Sequence, residues 1–361
     1  MNTARVGVDL TALAANYRQL RDRSAGACAG VVKANGYGLG IAAVAETLTV
    51  AGCSVLCVAT LDEALELHEL FASGTVPTPT PRILLFGGIS TAAAASAAAA
   101  AGIEPVLNNT QQAQLWWPWR DQAATLHIDT GMERLGFLPA DLTAIDWSAY
   151  RLAMVMTHLA CADTPEHTLN ELQLERFFAA NLQLPNPNLP TSIANSAGCF
   201  LSPRWHGDLS RPGIGLYGGH PQNRVVDNPM QAVVRVEGQI VQRRSVEAGT
   251  SIGYGASYVT QRPTEIAVVG LGYADGLPRL LSNVGAVSSA GQRAPIVGRV
   301  SMDVVHVDVS DLDSPPEPGD WVEFMGADIG VDEVAQWAGS IGLEVLCGLG
   351  QRPHWNYQRE A

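Results

Sequence analysis

Across the first two thirds of the chain, short apolar runs recur with room for a helix between each pair, and this alternation constrains the fold more than any other feature. The runs are Ala29–Val32, Val55–Ala59, Arg82–Phe86, Glu104–Leu107, Leu126–Ile128, Ala153–Met156, Ser192–Ala194 and Asp208–Ser210. Between them lie helical patterns such as Leu61–Leu70, with Asp62 and Glu63 in its first turn, and Leu169–Leu182. Parallel strands need helical crossovers, so eight such units predict an α/β fold of the (β/α)8, or TIM barrel, type. The run from Thr91 to Gly102 is almost all alanine, a strong helix former that is weakly lipophilic and here too short to span a bilayer. It reads as a surface or packed helix.

After a Pro/Gly/Asn-rich stretch from Gly218 to Pro229 the texture changes. Ala232–Val241, Glu265–Val269, Ile296–Val309 and Asp320–Met325 are β-branched, often alternating and bounded by Gly or Pro, which predicts a second, mainly antiparallel β domain. In the third run, Val305, Val307 and Val309 share one face while His306 and Asp308 share the other. A length of 361 residues accommodates two such domains.

A net charge of -13 leaves no basic surface to neutralise phosphates, which argues against nucleic acid or an anionic membrane as partner. The six cysteines form no CxxC pair and read as reduced, mostly buried thiols of a cytoplasmic protein. The first ten residues carry no apolar signal-peptide core.

Of the 22 basic residues 21 are arginine, so Lys33 is the one lysine. Arginine replaces lysine as a surface charge, but a guanidinium cannot form an imine. A barrel's chemistry sits at the C-terminal ends of its strands. Lys33 falls at the end of predicted strand one, Arg134 follows strand five, and His158 ends strand six. Asn195 and Ser196 end strand seven, and Arg211-Pro-Gly-Ile-Gly ends strand eight. Loops seven and eight are the usual phosphate position in this fold. One lysine, a phosphate cradle and arginines at one rim suggest a phosphorylated aldehyde cofactor.

At Val31-Val-Lys-Ala-Asn-Gly-Tyr-Gly the sequence resembles the cofactor-lysine motif of alanine racemases, pyridoxal 5'-phosphate (PLP) enzymes of fold type III. The resemblance continues through Asp129-Thr-Gly-Met-Glu-Arg-Leu-Gly, Met156-Thr-His-Leu, Ala194-Asn-Ser-Ala, Arg211-Pro-Gly-Ile-Gly-Leu-Tyr-Gly, Gly253-Tyr-Gly-Ala-Ser-Tyr, Gly272-Tyr-Ala-Asp-Gly, Gly298-Arg-Val-Ser-Met-Asp and Glu344-Val-Leu-Cys. It implies a cytoplasmic homodimer that racemises alanine, supplying D-alanine for cell-wall precursors, with each active site shared between one barrel and the other subunit's β domain. The implied division is residues 1–225 as the PLP-binding barrel and 226–361 as the β domain, with a first strand at about 4–10 as a candidate to pair with the latter. Lys33 would hold PLP and serve one face of the substrate Cα, and Tyr254 of the other copy the opposite face. Arg211 would face the pyridine nitrogen, and His158 would be hydrogen-bonded to this arginine. Tyr37, Ser196 and the backbone at Gly213 and Ile214 would bind the phosphate, with Asn195 beside them. Arg134 and the Met302 backbone would receive the substrate carboxylate, and Tyr273 would line the access route. No metal is implied.

Three positions depart from the family pattern. His127 stands where many members carry a carbamate-modified lysine that orients the arginine equivalent to Arg134; a neutral imidazole offers a hydrogen-bond acceptor but no negative charge. Leu39 replaces a histidine and reads as packing. Leu343 replaces a tyrosine that touches the phosphate, which favours a serine or broad-specificity racemase as the alternative substrate reading. A PLP-dependent decarboxylase of basic amino acids and a non-catalytic PLP-binding protein are further alternatives, opposed by Arg211 and by the β domain respectively. Gly213-Ile-Gly-Leu-Tyr-Gly also fits the dinucleotide pattern, but a loop follows where that pattern needs a helix. His158 and Cys161 have metal-ligand spacing without a further cluster. His68, His167 and His206 read as surface or packing residues, and Trp116-Trp-Pro-Trp as a hydrophobic loop or helix end.

Overall fold

The computed structural model describes residues 3–74, 76, 79–222 and 227–359. The chain divides into two compact units, one formed by Met1–Leu13 with Tyr217–Ala361 and the other by Ala14–Leu216. The expected boundary at 225/226 lies outside the described residues.

The second unit contains the barrel. Its parallel strands are Gly30–Val31, Val55–Val58, Arg82–Leu85, Glu104–Leu107, Ala124–His127, Leu152–Met156 and Thr191–Ser192, paired in chain order. An eighth, Leu209–Ser210, pairs in parallel with Ala27–Cys28, just before the first strand. Backbone bonds from Arg211 N to Ala194 O (2.8 Å) and from Asp208 N to Thr191 O (2.7 Å) join it to the seventh, closing the ring. Covered on both faces, the strands Val55–Val58, Glu104–Leu107 and Ala124–His127 are buried at every residue, which is why they read as continuous runs. The helices Leu61–Ala72, Ala92–Ala100 and Thr168–Asn181 lie where their patterns predict. The first opens on a capping box, Thr60 with Glu63, which satisfies donors that a helix start leaves unpaired. The alanine-rich helix is capped by Thr91 and buries Ala95, Ala98 and Ala99.

Two crossovers depart from the eightfold expectation. After strand five the chain forms 3-10 turns at Pro139–Ala144 and Trp147–Ala149, and after strand seven at Gly198–Phe200 and Pro203–Trp205. Each is a few residues long, and neither segment carries an apolar stripe sustained over the several turns a packed helix needs. Trp116 closes a helix (Thr110–Trp116) as a fully buried side chain, followed by the short turn Trp117–Trp119. Leu39 is fully buried, and the buried His206 ring is fixed by Ala25 N and Leu201 O.

In the other unit, the long strand Val234–Val246 organises the sheet. It pairs antiparallel with Ala4–Asp9, Thr264–Val269 and Trp321–Met325. Val305–Asp308 pairs antiparallel with Thr264–Val269, and His354–Gln358 runs parallel to Ala4–Asp9. Val305 and Val307 are buried while His306 and Asp308 are partly exposed, as the alternation predicts. The expected run Ile296–Val309 is a strand only over Val305–Asp308. It breaks at Gly298, whose φ of +81° no strand residue adopts and where a Cβ would lie 2.8 Å from Ile252 O. The hairpin Ala286–Ser289/Gln292–Pro295 and the strand His354–Gln358 carried no clear run in the sequence.

Candidate active site

Lys33 follows the first barrel strand and opens a left-handed turn. Ala34, Asn35, Gly36 and Tyr37 all have φ between 53° and 62°. The penalty falls on three non-glycine residues, Ala34, Asn35 and Tyr37, and persists only when neighbours fix the backbone. Glu63 does so from the adjacent helix start: its carboxylate accepts Ala34 N (2.5 Å), Ala59 N (2.9 Å) and Thr60 N (3.1 Å). Asn35 Oδ1 accepts Ile41 N at 2.8 Å and ties the far end of the turn to the next helix.

The turn brings the buried Tyr37 against the loop after strand eight. A Cβ on Gly213 would lie 2.2 Å from Tyr37 Oη, so only glycine lets the phenol approach this backbone. Ser196 Oγ accepts Gly213 N (2.8 Å) and Gly215 N (3.2 Å). The Tyr37 phenol and the Ser196 hydroxyl, whose oxygen accepts the two amides and leaves its O–H to donate, therefore converge at the start of the turn Ile214–Tyr217, hydroxyl donors that suit a phosphate monoester. Asn195 is committed elsewhere, its Oδ1 capping Gly198 N at 2.9 Å.

Arg211 is 2% exposed. Its guanidinium donates to Ser192 Oγ and, at 2.6 Å, to Thr157 O. Burial draws it down to about 10, still charged at neutral pH. The hydrogen bond expected between His158 and Arg211 is not formed: the side-chain bonds of the guanidinium go to Ser192 Oγ and Thr157 O, and its remaining N–H groups are left for another acceptor. Burial, and then the charges of Arg211, Arg134 and Lys33, push His158 well below the ordinary imidazole range, so it is neutral.

His127 is 7% exposed, and burial followed by the charge of Arg211 holds it at about 4. Its Nδ1 lies 2.8 Å from Asn108 Oδ1. The Asn108 amide nitrogen faces only acceptors, Phe86 O (3.0 Å), Val106 O (3.0 Å) and Gln112 Oε1 (3.2 Å), so its oxygen faces the imidazole and Nδ1–H must donate. That tautomer leaves Nε2 as an acceptor. The following loop is folded by Asp129, whose carboxylate accepts Gly131 N, Met132 N and Arg134 N. Burial raises the Asp129 pKa, but these amides outweigh it and keep the group ionised. Arg134 itself is exposed.

In the β unit, Tyr254 sits between Gly253 and Gly255, both with φ near +70°, on a turn between the paired strands Ser251–Ile252 and Tyr258–Val259. Ile252, Ile266 and Val297 form the core beneath it, with Val246 and Tyr258 packed on that core. The phenol is 71% exposed, which a structural tyrosine of this size rarely is. Tyr273 and Met302 are also exposed, and their segments are joined: Tyr273 N donates to Ser301 O at 3.0 Å and Ala274 N to Met302 O at 3.1 Å. Leu343 is half-buried in the helix Gly342–Cys347.

Sequence reading missed Glu63, Asn108, Gln112, Thr157 and Ser192. Glu63 had a local signal in its capping box; Asn108, Thr157 and Ser192 are polar residues at or just past strand ends whose partners are distant in sequence, and Gln112 supports Asn108 from the helix that follows it.

An amine just past a barrel strand, on the turn that carries Tyr37 into a phosphate-shaped cradle, points to the class of barrel enzymes that carry a phosphorylated carbonyl compound on lysine. Comparison with known proteins narrows the class. Residues 8–221 match the family described as alanine racemase, N-terminal domain, and residues 233–357 match alanine racemase, C-terminal domain. An alanine racemase of Rhodospirillum rubrum is 42% identical over 97% of this chain and 94% of its own length. A catabolic alanine racemase of Mesorhizobium japonicum is 42% identical over 97% and 92%. The crystal structure of alanine racemase from Bartonella henselae, with covalently bound pyridoxal phosphate, shares 37% identity and a TM-score of 0.91, covering 99% of this chain and 100% of that one. The chain therefore belongs to the alanine racemase family.

Proposed function

We propose that this protein is an isomerase that interconverts L- and D-alanine with PLP. Family membership across both units supports the activity, and the junction of Lys33 with the Tyr37–Ser196–Gly213 cradle is the observation that carries the cofactor assignment. When bound, PLP supplies a conjugated electron sink for charge at the substrate Cα. Tyr37, Ser196 and the backbone at Gly213 and Ile214 would hold its phosphate. Arg211, charged at neutral pH and anchored by Ser192 and Thr157, would donate to its ring nitrogen and keep that nitrogen unprotonated.

A racemase removes a proton from one side of Cα and returns one to the other. Lys33 Nζ serves one face and Tyr254 Oη the opposite face. Arg134 and the Met302 backbone orient the substrate carboxylate, Tyr273 lines the route in, and His127 Nε2 supplies Arg134 with a neutral acceptor in place of a carbamate. The barrel unit, residues 1–225 apart from the first strand, binds the cofactor. The β domain, 226–361, gives Tyr254 to the active site of a second copy in a homodimer. The antiparallel pairing of Ala4–Asp9 with Val234–Val246 supports grouping the first strand with that domain. Six cysteines held as thiols rather than disulfides fit a cytoplasmic setting, where D-alanine would feed cell-wall precursors. Among the described residues no helix is long and apolar enough to cross a membrane.

Proton NMR of a panel of L-amino acids in D2O with the PLP-loaded enzyme tests this reading. It predicts Cα deuteration and enantiomer scrambling of alanine above all others. Leu343, lacking a phenol, favours a second reading in which serine or larger substrates exchange equally fast. No exchange with any substrate refutes both.

A further inference from the structure

Tyr273 and Met302, two large side chains left 42% and 51% exposed, project from backbone that is fastened from behind with unusual thoroughness. Arg352 makes the fastening. Its Nε and Nη2 donate to the two carboxylate oxygens of Asp275, both at 2.7 Å, and Nη1 donates to Asp303 Oδ1 at 2.6 Å. Nη2 also reaches Met302 O at 3.4 Å. Asp275 is 3% exposed, and its Oδ2 accepts Gly272 N at 2.9 Å, which closes the turn that carries Tyr273. One planar fork thus grips the Tyr273 turn on one side and the Met302–Asp303 segment on the other.

The backbones it joins are interlocked. Tyr273 N donates to Ser301 O at 3.0 Å, Ala274 N to Met302 O at 3.1 Å, and Gly350 N to Asp275 O at 3.0 Å. There is no slack between them. A Cβ on Gly272 would lie 2.4 Å from Met302 O, and one on Gly276 would lie 2.6 Å from Gly350 N. Three chain segments far apart in sequence meet here, and Arg352 is the charged group common to their junction. Lysine could supply the charge but not the two-point grip on Asp275 together with a third bond to Asp303.

We propose that Arg352 is a positioning residue, which sets the spacing between the Tyr273 side chain and the Met302 backbone and thereby the geometry in which substrate is received. The proposal rests on the reading of those two residues as substrate contacts, and on the enzyme being a racemase. It concerns binding geometry and leaves the proton-transfer groups Lys33 and Tyr254 untouched.

The test compares wild type, Arg352→Lys and Asp303→Asn as PLP-loaded enzymes. For each, kcat and KM for L-alanine are measured beside thermal stability and amide hydrogen exchange across 272–276 and 301–303. Arg352→Lys is expected to raise KM at least tenfold with kcat reduced less than threefold, and to speed exchange at Ala274 N. Asp303→Asn removes only the exposed arm of the clamp, leaves the Asp275 pair and the fold intact, and is expected to raise KM about threefold at unchanged Tm. If wild type does not racemise alanine, the functional reading fails first. If wild type is active but Arg352→Lys and Asp303→Asn both keep KM within twofold of it, or if kcat and KM change only in proportion to lost stability, the positioning role is wrong. Should Arg352→Lys not fold, Asp303→Asn alone decides.

Discussion

Replacing Gly213 with alanine probes the cradle at its tightest point. The added methyl would sit 2.2 Å from Tyr37 Oη and 3.0 Å from Cζ, where ordinary contact begins at 3.4 Å, so the phenol must retreat by about 1.2 Å (3.4 minus 2.2). Tyr37 cannot absorb this by a free rotation, because it is 5% exposed and its own backbone is left-handed at φ 56°. A phenol–phosphate bond of about 2.7 Å would stretch to about 3.9 Å, beyond hydrogen-bonding range. A hydrogen bond to a charged group contributes about 1.5–3 kcal/mol, so the affinity for PLP should fall about 10- to 100-fold, with about 1–3 kcal/mol of stability lost to overpacking. Fluorescence titration of apoenzyme with PLP measures the first effect and urea unfolding the second. The decisive comparison is the double-mutant cycle. Tyr37→Phe removes both the bond and the clashing oxygen, so Gly213→Ala in that background should cost less than threefold in affinity. Equal penalties in the two backgrounds would refute the idea that the glycine exists to admit the Tyr37 hydroxyl.

Three other predictions concern the site. His127 sits at about 4 in the folded protein against an ordinary value of 6.5. The unfolded chain therefore binds the extra proton first as pH falls, and between pH 6.5 and 4 the fold should lose about 3 kcal/mol that His127→Asn does not lose, as read by urea unfolding at a series of pH values. Intact mass should show no carbamate on residue 127, since a neutral imidazole held by Asn108 has no need of one. Tyr254→Phe should lower net racemisation about 100- to 10,000-fold, the usual contribution of a positioned acid or base. It should do so without changing PLP affinity; racemisation within tenfold of wild type would remove Tyr254 from the mechanism.

The barrel was readable because parallel strands buried on both faces leave continuous apolar runs. All eight are seen within a residue or two of where those runs lie, and even the short strands Thr191–Ser192 and Leu209–Ser210 follow the weak runs that announced them. The crossovers after strands five and seven were not readable, since 3-10 turns have no periodic face to leave in the sequence. The lone lysine and the rim arginines stood out by composition and by place. What escaped was the set of residues that fixes them. Ser192 and Thr157 reach Arg211 across 19 and 54 positions, and Asn108 reaches His127 across 19, so only closure of the ring reveals these pairs. His158 was matched to Arg211 by resemblance, but the guanidinium donates instead to Ser192 Oγ and Thr157 O.

Borohydride reduction of the PLP-loaded enzyme, followed by peptide mapping, tests the central assignment most directly. A phosphopyridoxyl group confined to the peptide containing Lys33, and lost in Lys33→Ala, is the expected result. Bound cofactor that leaves Lys33 unmodified after reduction would contradict the account.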